Sequence, residues 1–164
     1  IEQAVLDNVT FIKGTMRVGE VMAPPLIEKV RELSDPDKLI LIDAPPGTSC
    51  PVIAAMRDVD FVVLVTEPTP FGLNDLVLAV ETVRELGLPF GLVINRAGVG
   101  DLEVYDYVKK ENIPILMEIP FDMEIARAYS KGKMIVDEFP ELRAEFSAFY
   151  QKIKDLVALH GERQ

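Results

Sequence analysis

Five short apolar runs punctuate this chain: Val9–Ile12, Leu39–Asp43, Phe61–Thr66, Phe90–Asn95 and Ile115–Glu118. Their starts fall about 20–30 residues apart, and the intervals between them carry helical periodicity. Each run is continuous rather than alternating, as in strands covered on both faces. Strands alternating with helices restrict the chain to right-handed βαβ units. The predicted fold class is therefore α/β, a doubly wound, mostly parallel sheet with helices on both faces.

The helices follow from stripe and punctuation. Val21–Leu33 tolerates Pro24 and Pro25 only in its first turn. Pro51–Val59 opens on a proline suited to a first helical position. Leu73–Leu86 sets Leu73, Leu76, Val77, Val80 and Val83 on one stripe and stops at Gly87. Leu102–Glu111 and Phe121–Lys131 are shorter, the latter ending at Gly132. Glu141–Leu159 carries Leu142, Phe146, Phe149, Ile153 and Leu156 on one face, which fits a terminal helix packed over the sheet. Residues 1–8 read either as a short helix or as the tail of another module. Residues 1–159 are expected to form one domain, with a frayed tail over 160–164.

Composition excludes several function classes. The net charge of −10 repels phosphate backbones, so no nucleic-acid partner is expected. The apolar runs are too short for a membrane span. A single cysteine, Cys50, forbids an internal disulfide and fits a reducing cytoplasm. A lone cysteine beside a helix start is expected to be packed. The chain begins with Ile rather than Met, which is expected of a segment excised from something longer.

Ligands of open parallel sheets bind outside the carboxyl ends of the strands. Those ends are expected at Lys13-Gly14, Asp43–Gly47, Thr66–Pro70, Asn95–Gly100 and Ile119–Asp122. Asp43 ends an apolar run and precedes Pro45-Pro46-Gly47. A carboxylate there can hold magnesium through a water beside terminal phosphates, and Gly47 can bring its amide close to a phosphate. Asp43 alone could equally cap the turn or the next helix. Asn95 can read a purine edge and Arg96 can stack on a base, yet the pair also suits a plain turn. Pro120 offers an exposed carbonyl to an adenine amino group. Asp122 also suits simple helix entry. The loop Glu67-Pro68-Thr69-Pro70-Phe71-Gly72 is stiff and could wall the pocket, contact a partner subunit or be a plain connection. No Gly-x-x-x-x-Gly-Lys-Ser/Thr phosphate loop occurs in the 164 residues.

Taken in order, Gly14-Thr-Met-Arg-Val-Gly-Glu, Asp-Ala-Pro-Pro-Gly-Thr-Ser-Cys-Pro, Thr-Glu-Pro-Thr-Pro-Phe-Gly-Leu, Ile-Asn-Arg and Ile-Pro-Phe-Asp resemble the MinD/Mrp/ParA group of deviant P-loop ATPases. The likeness is nearest to MinD-superfamily members with an inserted ferredoxin domain, and it spans about residues 9–155. The resemblance implies that Asp43 is the catalytic, magnesium-side Asp of a Walker B strand. It implies that Pro45, Pro46 and Gly47 form switch II, and that Asn95, Arg96, Pro120 and Asp122 lie beside adenine. It further implies ATP and Mg2+ as ligands, a homodimer sandwiching nucleotide, an iron–sulfur cluster in the ferredoxin insert and an iron–sulfur or redox protein partner. The family's first strand, phosphate loop, switch I and insert would all precede Ile1. The chain thus reads as the C-terminal portion of a larger ATPase, inactive by itself. Two other readings stay open: an interaction module without a phosphate loop, and a small flavin- or nucleotide-binding regulator.

Overall fold

A computed structural model describes residues 1–16 and 22–161. The chain divides into two compact units, Ile1–Asp58 and Val59–Gln164.

The second unit holds a three-stranded parallel sheet in the order β3–β4–β5, with β3 at Val62–Thr66, β4 at Phe90–Ala97 and β5 at Ile115–Pro120. Helix α3 (Pro70–Glu85) joins β3 to β4, and α4 (Glu103–Lys110) joins β4 to β5. Three further helices follow: α5 (Met123–Ser130), α6 (Ile135–Glu138) and α7 (Pro140–Gly161). One face of the sheet packs Leu92 and Ile94 against Leu76 and Val80 of α3 and Val104 and Val108 of α4. The opposite face packs Val93, Leu116 and Met117 against Leu142, Phe146, Phe149, Ile153 and Leu156 of α7. The doubly wound architecture expected from the run spacing is therefore present here, as is the terminal helix over the sheet. Gly87 and Gly132 close their helices in the left-handed region, at φ 68° each.

The helical expectations hold with shifted ends. Proline at the first helical position starts α3 three residues before Leu73. Helix α6 is too short to leave a periodic signature. His160 and Gly161, expected in a frayed tail, close α7, while 162–164 lie outside the described residues.

The first unit departs from expectation in two places. Val9–Ile12 is not a buried parallel strand. It lies in β2 (Val9–Lys13), which pairs antiparallel with β1 (Glu2–Leu6), registering Leu6 with Val9 and Ala4 with Phe11. The cause is the turn at Asp7-Asn8, where Asp7 takes φ 51°, a conformation that Asp tolerates better than most residues. That turn makes residues 2–6 a strand rather than a helix. Leu39–Asp43 forms no strand either. A strand persists through ladder hydrogen bonds, and no described residue pairs with this segment. Its side chains are exposed, Leu41 by 87 %. Helix α1 (Pro24–Glu32) has both prolines in its first turn, as anticipated, and α2 spans Cys50–Met56. The expected start of α1 at Val21, and most of the Gly14–Glu20 motif, fall among 17–21, outside the described residues.

Core deletion should expose the difference between runs. Ile94 has no accessible surface, so Ile94→Ala should cost about 2–5 kcal/mol in urea unfolding. Leu41→Ala should stay within about 0.5 kcal/mol. Equal costs would mean that the sheet is not the centre of the core.

Tyr105 of α4 donates its hydroxyl to Glu118 Oε2 of β5 at 3.0 Å. Desolvation first, then this hydrogen bond and the Glu118 charge, hold its pKa above the ordinary value. A raised folded pKa gives stability that is complete below the unfolded pKa and lost as pH climbs through the folded one. Tyrosinate absorbance should therefore rise late, and Tyr105→Phe should remove part of the late fraction. An unchanged titration curve would refute the contact.

Candidate functional site

The carboxyl ends of β3, β4 and β5 bring together most of the expected base-side residues. Register pairs Asn95 with Ile119 and Ala97 with Pro120, and the ladder slips between Asn95 and Ala97. Arg96 is the residue left out. It bulges from the strand at φ 56°, a left-handed conformation that costs a non-glycine residue about 1–3 kcal/mol. The bulge re-aims its side chain. Its Nη1 donates to Glu67 Oε2 at 3.1 Å, and its guanidinium carbon lies 5.1 Å from the centroid of the Phe121 ring.

Backbone contacts hold these neighbours. The Phe121 amide donates to Ala97 O at 3.0 Å, just past the bulge. Thr69 caps α3, its hydroxyl oxygen accepting from the Gly72 amide at 3.1 Å. Thr66 donates its hydroxyl to Gly72 O at 2.9 Å. The loop 67–70 is thereby pressed between two glycines. A Cβ on Gly72 would stand 2.2 Å from Glu67 O, and one on Gly100 would stand 1.8 Å from Pro68 O. Asp101 N donates to the same Pro68 oxygen at 3.3 Å. The proline-rich stretch is thus held in place with Glu67 beside Arg96.

Pro120, the last residue of β5, is exposed. The Asp122 side chain is engaged at the start of α5, accepting from Glu124 N at 2.7 Å, which is the helix-entry role. Sequence reading gave Glu67 only a place in a stiff loop and gave Phe121 no role. The available signal was an acidic residue one place after β3 beside a basic one near the end of β4, since Thr66 registers with Ile94.

The remaining candidates belong to the first unit. Asp43, Pro45, Pro46 and Gly47 lie in an exposed, irregular segment before α2. Asp43 therefore does not end a strand, although its carboxylate is open to solvent and makes no hydrogen bond or ion pair with another described residue. Gly47 takes φ 96°, with open space where a Cβ would stand, so its backbone is accessible to a ligand. Cys50 is exposed rather than packed, which corrects the expectation. It occupies the first position of α2, and the preceding segment 39–49 is itself exposed and offers it no wall. Among the described residues, no group of three or more His, Cys, Asp or Glu side chains could hold a metal ion, and no helix is long and apolar enough to cross a membrane.

No protein-family model matches the chain. Curated relatives do. An uncharacterized protein of Methanocaldococcus jannaschii is 31 % identical over 146 residues, covering 87 % of this chain and 50 % of that protein. An uncharacterized ATP-binding protein of the same archaeon is 30 % identical, covering 81 % and 51 % respectively. An iron–sulfur cluster carrier protein of Rickettsia typhi is 31 % identical over 97 residues, covering 57 % of this chain and 30 % of its own. Among solved structures, the cell division ATPase MinD of Pyrococcus furiosus is similar with a TM-score of 0.57 and 27 % identity, over 83 % of this chain and 57 % of MinD. The chain spans about half the length of the curated relatives it matches first.

The glycine clamp makes a graded prediction. Gly98 has φ 89° and open space, so Gly98→Ala should cost only the left-handed penalty of about 1–2 kcal/mol. Gly100→Ala adds a collision with backbone and should cost measurably more in denaturant unfolding. Equal costs would show that the loop 67–70 is not clamped.

Proposed function

The chain belongs to the MinD/Mrp superfamily of ATPases, and from that premise we propose that it supplies the magnesium-side carboxylate, the switch segment and the base-side residues of an ATP site. In this proposal it is the C-terminal part of an ATPase domain, and the phosphate loop comes from elsewhere in the whole protein. The observation that carries the reading is the meeting of Asn95, Arg96 and Pro120 with Glu67 and Phe121 at the carboxyl ends of three parallel strands.

The residues present suit these ligands. An open carboxylate at Asp43 is the donor that hydrated magnesium takes. Gly47, with nothing over its α-carbon, lets a γ-phosphate approach backbone. Asn95 would bond the base edge, and the Pro120 carbonyl would accept from an exocyclic amine. Bound magnesium and ATP supply the phosphoryl chemistry. The chain's own residues orient the nucleotide and respond at Pro45–Gly47 to the terminal phosphate. A resident iron–sulfur cluster does not fit the described residues, given one thiol and no ligand group. In this reading a cluster is cargo of the whole protein, or is held by a ferredoxin-like insert. The parent couples ATP binding and dimerisation to iron–sulfur or redox work with a protein partner in the cytoplasm. The likeness to an iron–sulfur cluster carrier protein supports that assignment.

One observation favours a second reading, a non-enzymatic module that dimerises. The apolar side chains of Leu39–Ile42 are exposed, Leu39 by 65 %, and such a run is suited to a partner surface.

The test is magnesium-dependent ATP hydrolysis by the intact gene product. Asp43→Ala should reduce turnover by about 10²-fold or more, the scale of losing one electrostatic contact to the transition state. Undiminished hydrolysis in that variant would remove Asp43 from the site. No hydrolysis and no nucleotide binding, with a dimer unaffected by ATP, would favour the second reading.

A further inference from the structure

We infer that Glu67 and Phe121 are positioning residues for Arg96, fixing its guanidinium as a shelf for an aromatic base at the sheet's carboxyl edge. The inference rests on the base-side reading above and deepens it by adding two residues to it and naming what they do.

An arginine at a strand end is ordinarily a mobile side chain, with rotamer entropy to lose when a ligand orders it. Here the side chain is ordered beforehand from two directions. Glu67, from the loop after β3, takes one edge of the guanidinium at 3.1 Å. Phe121, from the loop after β5, offers its ring to the cation, the centroid 5.1 Å from the guanidinium carbon. A planar guanidinium has two faces. With the side chain 47 % exposed, surface is left for a second aromatic group.

The supports are themselves anchored. Glu67 is carried on the loop wedged against Gly72 and Gly100, and Pro68 beside it is fully buried. Phe121 is tied by its amide to Ala97, on the far side of the bulge that aims Arg96. Three side chains from three adjacent strand ends are thus fixed through their backbones, which is the condition for an effective binding shelf.

Charge decides the ligand class. Glu67 pairs with Arg96, so the pair presents little net positive charge to a phosphate. The retained property is the polarised flat surface, which suits a heteroaromatic base. The shelf therefore reads the base of a nucleotide and contributes nothing to gripping its phosphates.

The test measures displacement of a fluorescent ATP analogue from the intact gene product by unlabelled ATP and by inorganic tripolyphosphate. Glu67→Gln and Phe121→Leu should each weaken ATP about three- to fivefold, the scale of an exposed ion pair or cation–π contact. Neither should weaken tripolyphosphate. Combining Glu67→Gln with Arg96→Ala should be no worse than Arg96→Ala alone, because the first acts through the second. Three outcomes would overturn the inference. If Arg96→Ala and Asn95→Ala weaken ATP but Glu67→Gln and Phe121→Leu do not, positioning is wrong and the base-side reading survives. If Arg96→Ala and Asn95→Ala leave ATP unaffected, the base-side reading falls and the inference falls with it. If ATP and tripolyphosphate weaken together, the residues act on the structure at large.

Discussion

Strand β4 is the member on which the second unit depends. It pairs with β3 on one edge and β5 on the other, and it sends alternate side chains into two separate cores. Leu92 and Ile94 face α3 and α4, while Val93 faces α7. Such a strand has no wet surface, which is why its sequence shows a continuous apolar run. The run also ends abruptly. Asn95 and Arg96 are the first polar residues after it, so the point where burial stops is also the point where chemistry becomes available. The bulge at Arg96 converts the end of a ladder into an aimed side chain.

How much was legible follows from what a sequence pattern encodes. Burial on two faces writes itself into residue type, so β3, β4, β5 and the long α7 were readable. Pairing does not. Leu39–Ile42 has the same apolar character as β4, but a ladder partner is a property of another segment, and none among the described residues supplies it. The hairpin was hidden for a related reason. Its strands are marked by the Asp7-Asn8 turn more than by their own periodicity, and that dipeptide is a weaker signal than Asn-Gly. At the candidate site, Asn95, Arg96 and Pro120 could be named from their positions after strands. Glu67 and Phe121 could not, because their importance arises from register between neighbouring strand ends.

The two units contrast in how they hold polar groups. In the second, several residues at the strand ends have a definite partner: Thr66 and Thr69 with Gly72, Arg96 with Glu67 and Asp122 with Glu124. Such ordering is what a recognition surface requires, since groups fixed before binding lose little freedom afterwards. In the first unit the segment with Asp43 and the Pro-Pro-Gly turn is exposed and unpaired. A segment meant to respond to a ligand benefits from being drawn from the less stable part of a structure.

The meeting of Gly100 with the Pro68 carbonyl reaches beyond stability. Two connections, one leaving β3 and one leaving β4, touch backbone to backbone, so neither can change length by itself. An inserted residue between Arg96 and Gly100 would lift the second connection off the first and release Glu67. Natural variation in this part of the chain should therefore consist of exchanges of side chains, with loop lengths held constant as a matched pair.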